Sequence, residues 1–316
     1  MIVTTYHTLH SHLYGRRSTK RSSGSPANAE TIGAMERVDV LFADEVHRAS
    51  SPSYQACLEK IYANRRYGFS ATPMKANNSV RNMAVRAWIG PKLHEIRLKG
   101  QVEKGRVAKA HVFFRSIGKN DPVDFSEMLG YHSAFTRAYM HYRPFLKQVI
   151  RDVHWFYQHD LPCLVLVDWR EPGELFRRLL SRIIPADEIR FIHGDVKIPD
   201  RDTVKEEFTA GTVKVLIATS GVFGEGEDLP SIGSLVMACP GRDPGVLYQR
   251  IGRGIRVKMG KVNVLYVTVY LNRRHRYFVG HAKEQLKYFA RNKDLYVTHG
   301  LAPLEVVDGE IGERRA

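Results

Sequence analysis

The sequence contains no apolar run approaching the ~18 residues that a membrane span requires. No basic segment followed by an apolar stretch, the pattern of an export signal, opens it either. The cytoplasm is therefore the expected compartment, with no membrane partner. Cysteine is scarce. Cys57, Cys163 and Cys239 lie far apart and match no zinc or redox spacing. Each sits in an apolar segment, so all three read as small core residues, which suits a reducing environment. Acid is also in short supply. The 33 Asp and Glu are outnumbered by 48 Lys and Arg, leaving +15. That excess predicts attraction to a polyanion, most often nucleic acid, with a merely soluble basic surface as the alternative. Apolar residues are not lacking. At 43% hydrophobic and 10% aromatic, the composition excludes global disorder, and 316 residues allow about two domains.

Several segments stand out along the chain. MIVTTYHTLH opens as a short apolar strand, and the basic, Ser-rich stretch Arg16–Glu30 reads as a loop. VDVLFA (Val38–Ala43) is a buried-strand run delivering Asp44 and Glu45 at its end. A helix over Ser51–Ala63 and a strand over Arg66–Ser70 follow. Residues 91–130, with strand-like runs at Leu93–Leu98 and Ala110–Ile117, read as a connector with little core. A helical region over Tyr131–Gln158 should break or kink at Pro144.

From Leu161 onward, apolar strands alternate with helices. The strands are Cys163–Val167, Arg190–His193, Val213–Thr219, Ser234–Cys239 and Val262–Val269. The helices are Glu171–Ile183, Asp200–Thr209, Gly245–Ile251 and Arg274–Ala290. This alternation predicts an α/β fold with a parallel sheet covered on both faces, and ligands at the carboxyl ends of its strands.

Four motifs fall at such places. In LFADEVHRA, Asp44 and Glu45 offer adjacent carboxylates, one to hold Mg2+ and one to orient an attacking water; alone, such a pair is more often a helix cap. GFSATP (Gly68–Pro73) is a strand followed by small and hydroxyl residues, which alone is an ordinary turn. IATSGVFGEGEDLPSI (Ile217–Ile232) places Gly221, Gly224 and Gly226 where backbone can approach a phosphate, with Glu225, Glu227 and Asp228 as acceptors for sugar hydroxyls; a glycine-rich loop without ligand is the alternative. YQRIGRGIRV (Tyr248–Val257) holds Arg253 and Arg256 three apart, suited to a phosphate that gains charge in a transition state, or to a solvated basic turn.

Their fixed order resembles superfamily-two helicases. DEVH (Asp44–His47) is similar to motif II in its DExH form, SAT (Ser70–Thr72) to motif III, CLVLVD (Cys163–Asp168) to motif IV, Thr219–Pro230 to motif V and QRIGRGIR (Gln249–Arg256) to motif VI. IVTTYHTL (Ile2–Leu9), IGPKLHEIRL and RYFVGHAKEQLKYF further resemble the group that contains the XPB-type and phage DNA helicases.

The resemblance implies two RecA-like parallel-sheet domains, the first truncated and the second complete. Residues 1–105 would be the partial first domain, 106–150 a connector and helical linker, and 151–316 the second domain. It implies an enzyme using ATP and Mg2+ on DNA, or on RNA, in a bacterial or phage-infected cytoplasm. Asp44 would bind Mg2+ and Glu45 would position the hydrolytic water. His47 and Gln249 would couple nucleotide state to the domain interface, and Ser70 and Thr72 would link hydrolysis to closure. Gly226 and Asp228 would lie near ribose and phosphates, Arg253 and Arg256 would be arginine fingers, and Thr5, His193 and Thr219 would line the nucleic-acid track.

One element of that pattern is missing. The phosphate-cradling loop G-x-x-x-x-G-K-[ST] occurs nowhere; Gly118-Lys119-Asn120 and Gly260-Lys261-Val262 lack both the hydroxyl and the upstream glycines. In the resembling family it precedes the segment matched by Ile2–Leu9. Met1 is therefore expected to be a split or truncated start, with the upstream half on a separate chain. The remaining first-domain sheet should expose strand edges and apolar surface, and ATP affinity should be poor. Two functions follow: an ATP-dependent DNA helicase or translocase that works when the missing half is supplied, or an ATPase-inactive remnant that grips nucleic acid.

Overall fold

The computed structural model describes residues 2–14, 29–70, 73–74, 79–96, 100–101, 104, 108–118, 130–222, 232–239, 264–292, 296–299, 305–307 and 310–312. The chain divides into two compact units, residues 1–95 and 96–316.

In the first unit, residues 2–5 have no regular structure and helix α1 spans Tyr6–Tyr14. The expected opening strand is thus a helix from Tyr6. The Thr5 hydroxyl accepts from the Thr8 amide at 3.2 Å, which caps a free N–H, and Leu9 and Leu13, one turn apart, are buried beside Cys57 and Ile61. Helix α2 (Ala29–Glu36) begins inside the segment read as a loop. Strand β1 (Val40–Ala43), helix α3 (Pro52–Glu59, with Pro52 in its first turn), strand β2 (Arg65–Gly68) and helix α4 (Ser79–Trp88) follow. Strands β1 and β2 pair in parallel, Val40 opposite Arg65 and Phe42 opposite Tyr67.

Alternation along these strands separates two faces. Leu41 and Ala43 turn toward Val46, Tyr54, Leu58 and Val85. Val40, Phe42, Tyr67 and Phe69 are exposed, Phe42 at 67%, and the Phe42 and Tyr67 rings stack at 5.4 Å. A parallel sheet normally has both faces covered, whereas here the face that carries Phe42 and Phe69 is exposed. Residues 93–96 of the expected strand Leu93–Leu98 are exposed without regular structure; Arg97–Lys99 lie outside the described residues.

The second unit is built on seven parallel strands. They are β3 (Lys109–Ile117), β4 (Cys163–Val167), β5 (Ile189–Ile192), β6 (Val215–Thr219), β7 (Ser234–Met237), β8 (Val264–Asn272) and β9 (Tyr296–His299), in spatial order β5-β6-β4-β7-β8-β3-β9. Every residue of β4 and β6 is buried, as their unbroken apolar runs require. One face is covered by helix α5 (Tyr131–Phe135, continuing as a π turn to Met140), helix α6 (Arg143–Gln158) and helix α7 (Arg170–Leu180) through Phe135, Phe145, Val149, Phe156 and Phe176. Helices α8 (Ile198–Ala210) and α9 (Arg276–Arg291) cover the other through Phe208, Ala282, Leu286 and Phe289. A short antiparallel pair, β10 (Glu305–Val307) with β11 (Glu310–Gly312), comes last.

The stretch read as a connector is part of this core. Ala110, Val112 and Phe114 alternate into it, and β3 pairs on both sides, with β8 and with β9. Helices α5 and α6 likewise pack on the sheet rather than link domains. The helical run is interrupted just before Pro144, which sits in the first turn of α6 where its missing N–H costs nothing. Close approach also shapes α7: a Cβ at Gly173 would sit 2.2 Å from the Phe191 ring of β5. The expected helix Gly245–Ile251 lies outside the described residues.

Candidate nucleotide and nucleic-acid sites

In the first unit, β1 ends at Ala43 and hands over to Asp44 and Glu45. The Glu45 amide donates to its neighbour's Asp44 Oδ1 at 2.8 Å, and Glu45 adopts a left-handed backbone, φ 52° and ψ 42°. That conformation costs a non-glycine residue on the order of 1 kcal/mol or more. It is held by crossing backbone bonds: Phe69 N donates to Ala43 O at 2.8 Å and Val46 N donates to Phe69 O at 3.1 Å. The loop after β1 is thereby fixed to the loop after β2.

Side chains reinforce the link. His47 Nδ1 lies 3.1 Å from Ser70 Oγ and 2.9 Å from Glu45 Oε2. One ring nitrogen can serve only one of these at a time, and Glu45 Oε2 is buried with no aligned hydrogen bond. Burial lowers the pKa of His47, and the positive charges of Arg81 and Arg48 add to this against the opposing pull of Glu45. The neutral ring is thus favoured near pH 7, and its tautomer decides whether Nδ1 donates to Glu45 or accepts from Ser70.

Beneath the acids, the Tyr54 hydroxyl donates to the Asp44 carbonyl at 2.9 Å. Burial, then the Asp44 charge, pushes the Tyr54 pKa up to about 12. The Tyr6 ring packs tilted against Tyr54 at 5.2 Å, and its hydroxyl accepts a bond from Arg48 at 2.8 Å. The residue after Thr5 is therefore tied into the floor of the acidic loop, whereas the Thr5 hydroxyl is spent on capping α1.

These residues fit a hydrated divalent cation. Asp44 is an exposed hard-oxygen donor at a strand end, and Glu45 Oε2 is a buried oxygen without an aligned partner beside it. Nothing in the sequence supplies the lysine and amide cradle for phosphates. Among the described residues, no cluster of three or more His, Cys, Asp or Glu is placed to hold a metal by itself.

In the second unit, the carboxyl ends of the adjacent strands β5, β6 and β4 form a polar row. Thr219 ends β6 and is almost buried. Ser220 Oγ donates to Asp168 Oδ1 at 3.1 Å, and Ser220 N to Val167 O at 2.8 Å, closing β6 onto β4. His193, one residue past β5, accepts from the Asp195 amide at 3.3 Å, and Arg170 donates to Asp195 at 3.2 Å. The row thus joins His193 and Thr219, both expected from sequence, to Asp168, Ser220, Asp195 and Arg170, which were not singled out as site residues. The Asp-Ser link could have been suspected from two polar residues that each directly follow a buried strand. Thr72, Gly226, Asp228, Gln249, Arg253 and Arg256 lie outside the described residues, as do Glu225 and Glu227.

Comparison with known proteins adds an independent line. The model for the helicase conserved C-terminal domain matches residues 145–258, and that for the type III restriction enzyme res subunit matches residues 1–75. A curated relative, the ATP-dependent RNA helicase DBP8 of Meyerozyma guilliermondii, is 25% identical over 245 residues, 75% of this chain and 50% of that protein. Putative helicase 22 of the Sulfolobus islandicus filamentous virus is 23% identical over 279 residues, 82% of this chain and 47% of its own. The chain thus spans about half the length of these relatives. Among solved structures, a fragment of a putative HsdR subunit of a type I restriction enzyme from Vibrio vulnificus YJ016 superposes with TM-score 0.61 at 18% identity, over 83% of this chain and 47% of that one. At that identity the likeness speaks for the fold, which is RecA-like. The two matched models, over residues 1–75 and 145–258, make the chain similar to the superfamily-two helicases.

Proposed function

We propose that this chain works as an ATP-dependent DNA translocase of the DExH kind, together with a polypeptide that carries the phosphate-cradling loop. The observation that carries the reading is the interlocked pair of loops after β1 and β2. An acid pair is held there in a strained backbone and wired through His47 to Ser70.

Phosphoryl transfer asks little covalent chemistry of a protein; it needs positioning and charge. Mg2+, when bound, neutralises phosphate oxygens and draws charge from the bond that breaks. Asp44 presents an exposed carboxylate to hold it. Glu45, whose buried Oε2 has no aligned partner, is placed to accept a hydrogen bond from the attacking water. His47 senses whether that acid is engaged and passes the state to Ser70, with Thr72 following in the same motif. Gly226 and Asp228 would approach ribose and phosphate, Gln249 would read the nucleotide state, and Arg253 and Arg256 would meet the charge that grows on the transferred group. His193 and Thr219, at strand carboxyl ends, would face the nucleic-acid backbone.

DNA is the proposed track, following the restriction-enzyme description of the family model that covers the acid pair. RNA is the competing one, since the DBP8 relative is named an RNA helicase. The second reading, an ATPase-inactive grip on nucleic acid, is favoured by one observation: the 316 residues lack the cradle.

The test is nucleic-acid-stimulated ATPase of the purified chain, with and without the candidate polypeptide bearing the loop, on single-stranded DNA and RNA of equal length. Turnover only with the added polypeptide, preferentially on DNA and abolished by Glu45→Gln, is expected. Robust turnover by the chain alone would overturn the need for a partner. No turnover with the partner bound would leave the binding module as the function.

A further inference from the structure

Helix α6 buries Phe145, Val149, Asp152, Val153 and Phe156 against the sheet. Its opposite face repeats every four residues: Arg143, Lys147, Arg151 and Trp155 are all exposed. Residues four apart share a helix face, so the three cations and the indole form one ridge, roughly 18 Å long at 1.5 Å per residue.

Three features separate this ridge from an ordinary solvated helix surface. First, it carries no acid. The single acid of α6, Asp152, points inward and is engaged by Arg115, Gln148 and Tyr270. Second, the cations are uncommitted: among the described residues, Arg143, Lys147 and Arg151 have no ion-pair or hydrogen-bond partner. Surface cations elsewhere on this unit do have them, as in Arg177 with Glu174 and Lys205 with Asp202. Third, the ridge ends in an aromatic platform. Trp155 is 46% exposed and stacks with His159 at 4.0 Å, and the His159 ring is pinned by a 2.7 Å bond between its Nδ1 and the Trp155 carbonyl. A large indole left half outside the core, with a fixed ring beside it, offers a flat surface for another planar group.

The ridge is distinct from the polar row at the strand ends. Early in α6, Phe145 meets Tyr270 near the end of β8, while late in the helix Phe156 meets Tyr266 near its start. The helix therefore runs antiparallel to the strands. Trp155 lies toward the amino ends of the strands, away from Thr219 and His193.

We infer that the outer face of α6 is a second nucleic-acid contact that takes a single strand, with Arg143, Lys147 and Arg151 on successive phosphates and a base stacked on Trp155. Unpaired cations release counterions from a polyanion, and an exposed indole stacks only on bases that are not already stacked in a duplex. Chain chemistry favours the same occupant, since the net charge is +15. The inference stands apart from the ATPase reading, because it concerns binding alone.

The experiment is anisotropy titration of the full chain with a labelled oligothymidylate and with a duplex of the same length, over a range of salt. The triple variant R143A/K147A/R151A should bind the single strand at least tenfold more weakly. Its log–log salt slope should fall by about two, at roughly 0.7 per lost phosphate contact. Trp155→Ala should weaken binding by about tenfold, whereas Trp155→Phe should keep affinity yet lose the fluorescence quenching that the wild type shows on binding. The three cations lie outside the core, so thermal unfolding of the triple variant should be unchanged, which separates lost contact from lost fold; for the half-buried Trp155 the Phe variant, which keeps a ring there, is the control. Unaltered affinity and slope in the triple variant would overturn the inference. Equal affinity for duplex with no quenching of Trp155 would overturn the single-strand assignment.

Discussion

His47 Nδ1 stands 3.1 Å from Ser70 Oγ, joining the loop after the first strand to the loop after the second across 23 positions of sequence. The acid pair and the small-hydroxyl motif are thus one assembly. Ser70→Ala removes the hydroxyl without touching Asp44 or Glu45. In the completed motor it should leave basal ATPase within about threefold while uncoupling strand displacement from hydrolysis, a loss of roughly tenfold, on the order of 1.4 kcal/mol of coupling. Parallel ATPase and displacement assays check this. Equal loss in both would mean that Ser70 acts in the chemistry itself.

The same histidine sets a pH dependence. Burial holds its pKa below the ordinary 6.5. The unfolded chain therefore takes up this proton at a higher pH than the folded chain does. Stability from the neutral ring is present above about 6.5 and is lost as pH falls from there through the folded value. Protonation makes both ring nitrogens donors, so Nδ1 then favours the Glu45 carboxylate 2.9 Å away. The chain should lose thermal stability below pH 6.5 more steeply than His47→Gln, as read by melting curves at successive pH. Identical pH profiles for the two proteins would remove His47 as the cause.

Much of this architecture is legible from residue pattern. Unbroken apolar runs at Cys163–Val167 and Val215–Thr219 can only be fully buried strands, and they are. Residues 109–117 are not so transparent. His111, Arg115 and Ser116 interrupt the apolar run, so the segment resembles a half-exposed connector. Its place between β8 and β9 depends on partners more than 140 residues away, which periodicity does not encode. The opening helix is hidden for a different reason: Ile2–Thr5 read as extended chain, and the helix starts only at Tyr6, where Thr5 caps it and Leu9 and Leu13 pack on Cys57 and Ile61. At the acid loop, the chemistry-bearing residues are visible as a motif. Tyr6, Arg48 and Tyr54 are not, because their role is to bond backbone and one another.

A buried polar network offers a stability test in the second unit. Tyr270 donates to Asp152 Oδ2 at 2.9 Å, and Arg115 and Gln148 donate to Asp152 Oδ1 at 3.0 and 3.2 Å. Asp152 is only 5% exposed, so it anchors α6 to strands β3 and β8 with its charge satisfied from three sides. Removing one member of such a set strands the others. Asp152→Ala should cost roughly 3–5 kcal/mol and Tyr270→Phe roughly 1–2 kcal/mol, measured by urea unfolding. Because the two share a bond, the double variant should cost less than the sum. Strict additivity would mean that the hydroxyl contributes nothing through Asp152.

The bare aromatic face of the first sheet predicts how the chain behaves alone. Phe42 and Phe69 are 67% and 56% exposed beside Tyr67, on a two-stranded parallel sheet whose outer edges have no partner strand among the described residues. Contiguous apolar surface next to open strand edges promotes association. Phe42→Ser with Phe69→Ser removes aromatic area that contributes nothing to the core on the other side of the sheet, so the fold should persist. The expected outcome is a shift toward monomer in sedimentation velocity at equal concentration, with the melting temperature unchanged within about 2 °C. If association were instead driven by the excess of positive charge bridging to anions, the double variant would sediment like the parent and only added salt would disperse it. The two causes thus give opposite responses to the same pair of experiments.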